Sequence, residues 1–449
     1  MKKTQLAVIF TLTFSISASV LAAVSVDEAA QLGGEKLTEF GAQKAGNADG
    51  SIPAWKPGWK GPAMPENGGI YPDPFPDEKP MFTITAANVE QYGDKVSTGT
   101  RELLKRWPDY KVEVYQSHRV VDFPDWLKAD TIKNATRAKS TFDGEDLEGA
   151  MGGYPFPIPK TGSEVIWNHN LRYYGPAYRS RFAGYMIDSA GNRIMTHDLD
   201  NYTDSPYHDN PDEEQQFYQR RLAAYVGPAR NVGDKSLTYM VMHAKKDGNS
   251  KQWVYTQGQR RVRQAPEFGY DSPMTIAGGA YFNDELGMWE GQLDRYNFKL
   301  VGKKEFYIPY NNYKFLMHTS ADDAFGKQFA NPDKMRWELH RTWVVEATLK
   351  TGMRHAQSKK VFYVDEDSWS IVLYEGYDQA GKLMRTAQGL FTYDWNTKSV
   401  PNTPMIIYDL VKGQYCSSMH MTDGTGYVRV ARWPNGKLSP DSMAGSGIR

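Results

Sequence analysis

The residues best equipped for chemistry crowd into one stretch, THDLDNYTDSPYHDNPDEE. It offers His197, Asp198, Asp200, Asp204, His208, Asp209, Asp212, Glu213 and Glu214. Imidazoles and carboxylates are the ligands of zinc and of hard cations, so a metal-dependent hydrolase is the activity such a set would support. The spacing does not follow that chemistry. No pair stands in the H-E-x-x-H arrangement that places two imidazoles on one helix face, and Pro206 and Pro211 interrupt any helix that would set the spacing. The simpler expectation is a solvated acidic loop leading into a helix over DEEQQFYQRRLAAYV, where the acids favour the helix N-terminus.

Other candidates are weaker. Asn47, Asp49 and Ser51 alternate around Gly50 like calcium ligands. In a calcium loop, however, glycine stands at the sixth position, which here is Ile52, and an acid at the twelfth, which here is Gly58. Asn47-Ala48-Asp49-Gly50 therefore reads as a turn, with Asp49 accepting from nearby backbone N–H and Gly50 at positive φ. Arg260, Arg261 and Arg263 group in GQRRVRQAP, either as charges guarding an edge strand or as an anion-binding rim. Ser163 and His169 lack the glycines of a nucleophile elbow. Cys416 has no partner for a disulfide and sits in a strand pattern, as a buried small hydrophobe. No catalytic residue, metal ligand or cofactor is assigned, and an enzyme is not expected.

The N-terminus reads as a leader. Lys2 and Lys3 precede an uncharged apolar run, Leu6 to Leu21, and Val20-Leu21-Ala22 presents small residues to a signal peptidase. Residues 1–22 are expected to be cleaved on export to the periplasm. No cysteine follows the run for lipid attachment. Removing the two lysines from 53 basic residues leaves 51 against 53 acidic ones, a formal charge of −2. Such a balance gives no electrostatic footprint for nucleic acid. The 28 Tyr, 19 Phe and 12 Trp favour strands, and the same rings line clefts for apolar ligands.

Stepping along the chain, residues 23–104 read as a helical and Pro/Gly-rich wrapping segment, and 105–449 as a curved antiparallel β domain with helical insertions. Proline from Asp49 to Pro80 denies a ladder, while Trp55, Trp59, Tyr71 and Phe75 argue against disorder, so this stretch should lie extended over the body. Thr85 and Ser163 are expected helix N-caps, with Gly175 closing the second helix. Beyond it, alternating strands follow one another through tight turns at Ser189–Asn192, Asp247–Asn249, Asp365–Asp367 and Asp378–Gly381, which makes an antiparallel meander. In RTWVVEATLK one face carries Trp343, Val345, Ala347 and Leu349. Two arrangements fit: a sheet packed on helices and wetted on its other face, or a curved sheet whose concave face holds a greasy ligand.

Several stretches in order, among them LTEFGAQKAGNADGSIPAW, GGYPFPIPKTGSEVIWNHNLRYYG, LHRTWVVEATLKTGMRH and FYVDEDSWSIVLYEGYDQAGKL, resemble the exported proteobacterial family known as domain of unknown function 1329. The resemblance runs from about Leu37 to Asp394. It implies a fold similar to the LolA/LolB lipoprotein carriers, a curved sheet forming an unclosed β-barrel with plugging helices. It also implies a genomic association with RND-type (MMPL-like) exporters and outer-membrane partners, which is association rather than mechanism.

The function expected is a soluble periplasmic carrier or binding protein for a lipid or other hydrophobic molecule. A non-catalytic adaptor of an RND-type exporter, docking through its N-terminal rings, is the alternative, followed by the hydrolase above. By strand parity the expected cavity lining is Trp253, Tyr255, Phe306, Trp343, Val345 and Tyr363, with Arg261 and Arg263 near the mouth.

Overall fold

The computed structural model describes residues 24–209, 216–265, 269–421 and 425–445. The leader read over residues 1–22 and the acids Asp212, Glu213 and Glu214 lie outside the described residues. Among those described, no helix is long and apolar enough to cross a membrane.

The period-two patterns build a large sheet that curves without closing. Its main strands are β1 (Ala177–Ile187), β2 (Arg193–Asp204), β3 (Phe217–Gly227), β4 (Lys235–Val241), β5 (Lys251–Thr256) and β6 (Arg261–Gln264). They continue with β7 (Tyr296–Pro309), β8 (Trp337–Leu349), β9 (Lys359–Asp365), β10 (Ile371–Tyr377), β11 (Leu383–Gly389), β12 (Met405–Asp409) and β13 (Gln414–His420). From β1 to β6 each strand pairs antiparallel with the next. The same holds from β7 to β13. The two meanders join where β13 lies antiparallel to β1. Among the described residues no ladder links β6 to β7, so these are the edges of the trough.

The chain between those edges turns into the trough. Trp289 meets Phe298 and Phe362 edge-on at 5.6 Å, and buried Asp284 pairs with Lys360. Among the helices that complete the body are α1 (Thr98–Arg106), α2 (Asp125–Arg137), α3 (Gly162–Asn170) and α4 (Pro440–Gly445). All residues of α3 are buried, because it lies inside the trough. A Cβ on Gly162 would come within 2.8 Å of both the Phe298 carbonyl oxygen and the Val345 side chain, so only glycine lets the helix approach so closely. α1 lies on the outer face, where Gly99 N–H donates to Glu375 at 2.6 Å.

Several sequence expectations need correction. The N-cap of α3 is Thr161 rather than Ser163. Thr161 accepts from Glu164 N–H while the Glu164 carboxylate reaches back, a reciprocal capping box. The helix also ends at Asn170, before Gly175. Thr85 opens a turn, and the helix that follows is a 3-10 segment, Val89–Lys95. In place of the helix expected over 212–226, the described residues from Phe217 onward form strand β3, held on both sides by β2 and β4. Its Gln, Arg, Leu and Ala favour helix, and tertiary pairing overrides that preference. The acidic loop is largely strand β2, whose acids meet arginines. Asp198 pairs with Arg181 at 2.8 Å and Asp204 with Arg220 at 2.6 Å.

Other expectations hold. Ser51 N–H donates to Asp49 at 3.0 Å and Gly50 has φ 75°, the turn read from Asn47 to Gly50. Cys416 is buried in β13. The Pro-rich segment lies over the body through its rings. Trp55 Nε1–H donates to the Val121 carbonyl at 2.8 Å, and Phe75 stacks on His118 at 4.1 Å. Trp55 and Tyr71 are buried, while Trp59 and Phe75 are half-buried against the core.

Candidate functional site

A cavity with a mixed polar and apolar wall lies against the inner face of β1–β5. The space inside it amounts to about 120 Å³. Strand alternation sets its wall. Thr203, Arg221, Thr238 and Gln252 stand opposite one another across β2 to β5, and Asn201, Ala223 and Ser236 form the next row. All but Thr203 border the space. The end of α3 with Arg172 and Tyr174 forms one end, and Met274, Ile276, Leu286 and Trp289 cover it from the segment between the sheet edges. Phe182, Leu199, Met240 and Met419 add apolar wall.

The cavity is two-natured. Arg221 forms a fork on Glu290, at 2.8 and 2.6 Å, so its charge is met within the wall. Arg172 is 3% exposed and rests on neutral acceptors: its Nη1–H donates to the carbonyl and to Nδ1 of His169. Ile371 N–H also donates to that Nδ1 at 3.0 Å, which puts the imidazole proton on Nε2. Burial, with Arg172 beside it, holds His169 well below the usual histidine range, so the ring is neutral. His197 borders the cavity too, with Nδ1 3.1 Å from the Ile276 carbonyl and Nε2 3.0 Å from that of Ser418. Burial lowers its pKa as well. Both rings serve as structural links between elements.

One group has the makings of a cation site elsewhere. His340, Asp365 and Asp367 are buried, with one ligand atom each within 4.8 Å of the others. Arg119 already forks onto Asp367, at 2.8 and 2.6 Å, and His340 Nε2 lies 3.0 Å from Glu338. The resident arginine supplies the charge a metal would bring.

The residues expected to line a concavity divide among three places. Trp343 and Val345 face inward against α3 and Trp369, in a packed region. Phe306 and Tyr363 meet edge-on at 4.7 Å on the outer face, where the Tyr363 hydroxyl donates to Glu375. Trp253 and Tyr255 pack with Leu438 and Met443 of the C-terminal segment, on the face of β5 opposite Gln252. Arg261 and Arg263 are exposed on edge strand β6. None of these borders the cavity against β1–β5. The residues that do border it, such as Gln219, Arg221 and Gln252, carry polar signals at inward positions, which hydrophobic periodicity passes over.

Comparison with known proteins places the chain. The model of the family described as "Protein of unknown function (DUF1329)" matches residues 83–444. The chain belongs to this family. A Pseudomonas aeruginosa relative, itself described as an uncharacterized protein, is 40% identical over 409 residues, covering 89% of each chain. Among solved structures, a DUF1329 family protein from Desulfovibrio piger is 13% identical with a TM-score of 0.44, covering 63% of this chain and 97% of its own. A putative outer membrane lipoprotein-sorting protein domain from Vibrio parahaemolyticus matches at 13% identity and TM-score 0.43, over 63% and 97% of the two chains. A LolA superfamily protein from Nitrosomonas europaea matches at 12% identity and TM-score 0.37, over 63% and 100%.

Proposed function

We propose that this DUF1329 protein is a binding or carrier protein for a hydrophobic molecule, held in the hollow of β1–β5. The observation that carries the reading is the partly apolar cavity between the sheet and its covering segment, walled by Leu199, Met240, Met274, Ile276 and Leu286 among others. Burying an alkyl chain there contributes ~25 cal/mol per Å² of apolar surface removed from water. Uptake and release require the cover from 274 to 290 or the β6 edge to move, since these close the trough without a ladder. The proposal places the protein in the periplasm, exported by its leader, and serving an envelope transport system such as an RND-type exporter and its outer-membrane partner.

The test is mass spectrometry of organic extracts from protein purified without detergent. A hydrophobe present in near-stoichiometric amount is expected. Protein that emerges empty, and that takes up no alkyl probe afterwards, overturns the reading.

A further inference from the structure

Arg172 is the feature of the cavity that the carrier reading leaves unexplained. Its guanidinium is buried and lies 5.2 Å from the Tyr174 ring centroid. Its Nε–H meets no acceptor, and among the described residues no carboxylate stands within ion-pairing distance of it. His169, its one side-chain partner, is neutral, as shown above. The same wall shows what a met guanidinium looks like: Arg221 holds Glu290 by a two-pronged fork. A second buried donor is also unmatched there, the Nε1–H of Trp289, which is 3% exposed. On the acceptor side Asn201 Oδ1 has no donor.

A buried cation without a counter-charge is strongly disfavoured, and a buried donor without an acceptor adds to the cost. Both costs disappear when an anion enters. The guanidinium fork matches carboxylate and phosphate oxygens, and the surrounding low dielectric strengthens the pairing. We infer that the occupant is an anionic amphiphile, with a carboxylate or phosphate head seated on Arg172 and its alkyl chain along the apolar wall of β1–β4. This rests on the carrier reading and names the class of its ligand. A site built around unmet polar groups also discriminates sharply, because a neutral head leaves them unmet.

The test uses delipidated protein and four probes in competition with a fluorescent fatty acid: dodecanoate, dodecyl phosphate, dodecanol and inorganic phosphate. Dodecanoate or dodecyl phosphate is expected to bind at least about ten-fold more tightly than dodecanol, and inorganic phosphate alone should not displace the reporter. Whichever charged probe binds tighter identifies the head. Arg172→Gln should abolish the preference, and Arg172→Lys should keep part of it. Equal binding of charged and neutral chains by the unaltered protein overturns the inference without recourse to any variant, as does a preference that survives Arg172→Gln. Displacement by inorganic phosphate as effective as by dodecyl phosphate reduces the site to a phosphate site and overturns the amphiphile. If dodecanol binds and the head makes no difference, the carrier reading stands alone. Failure of every alkyl probe removes that reading and this inference with it.

Discussion

The two meanders of the sheet use the same strand chemistry and enclose different interiors. Along β7–β10 the inner face is closed by the protein's own side chains, with Val345 under α3 and Phe362 against Trp289. Along β1–β5 the inner face carries Arg221, Thr238 and Gln252 around a cavity. Close packing maximises dispersion contacts, and a hollow forfeits them on the side that lacks partner atoms. One half of the trough is therefore shaped for stability, while the other gives up packing to keep space beside unmet polar atoms. The difference supports the proposal that a ligand is held in the half that the protein leaves unfilled.

This contrast can be broken by truncation. Phe362→Ala should cost about 3–5 kcal/mol, because the packed half cannot collapse around the gap. Leu199→Ala removes a side chain that already borders open space, so its cost should stay below about 2 kcal/mol. Urea denaturation midpoints measure both, and equal losses would mean that the two halves are packed alike. Filling gives the converse. Ala347 is fully buried between Phe298 and Lys360 in neighbouring strands, so Ala347→Leu should destabilise by about 1–3 kcal/mol. Ala223 lines the hollow. Ala223→Leu should change stability by less than about 0.5 kcal/mol while weakening dodecanoate binding in the competition assay.

The packed half was the more legible in the sequence. RTWVVEATLK and KKVFYVDED alternate clearly, and their strands, turns and order follow from that alternation. The hollow half was harder because many of its inward positions are polar. Strand β3 reads as helix since Gln219 and Arg221 replace the apolar residues that a packed core would require there. In β2 the acids look like a solvated or metal-binding cluster because their arginine partners, Arg181 and Arg220, lie on other strands. Parity placed Trp253 and Tyr255 together correctly, but parity does not tell which face is hollow. That depends on α4 and the C-terminal segment covering one side, a long-range contact without local signature.

An unmet atom also occurs in the packed half, and its meaning there should be opposite. Asp365 is fully buried. Its Oδ2 accepts from the Ser368 hydroxyl at 2.6 Å and from Ser368 N–H at 2.9 Å, while its Oδ1 has no donor, with His340 Nδ1 4.0 Å away. Burial, reinforced by the charge of Asp367, pushes the carboxyl up from 3.8 to about 6. The folded protein therefore holds this proton more firmly than the unfolded chain does. That contribution to stability is full below the unfolded value of 3.8 and is lost as pH rises through about 6. Asp365→Asn removes the titration and keeps an oxygen for Ser368, so it should stabilise the protein by about 1 kcal/mol near pH 8. The gain should shrink toward pH 5, as urea midpoints at the two pH values would show. A variant less stable at both would mean that the carboxylate holds a partner after all. In the filled half, neutralising an unmet group should relieve a cost. In the hollow half, Arg172→Gln should instead alter which molecules bind, and that divergence separates strain from recognition.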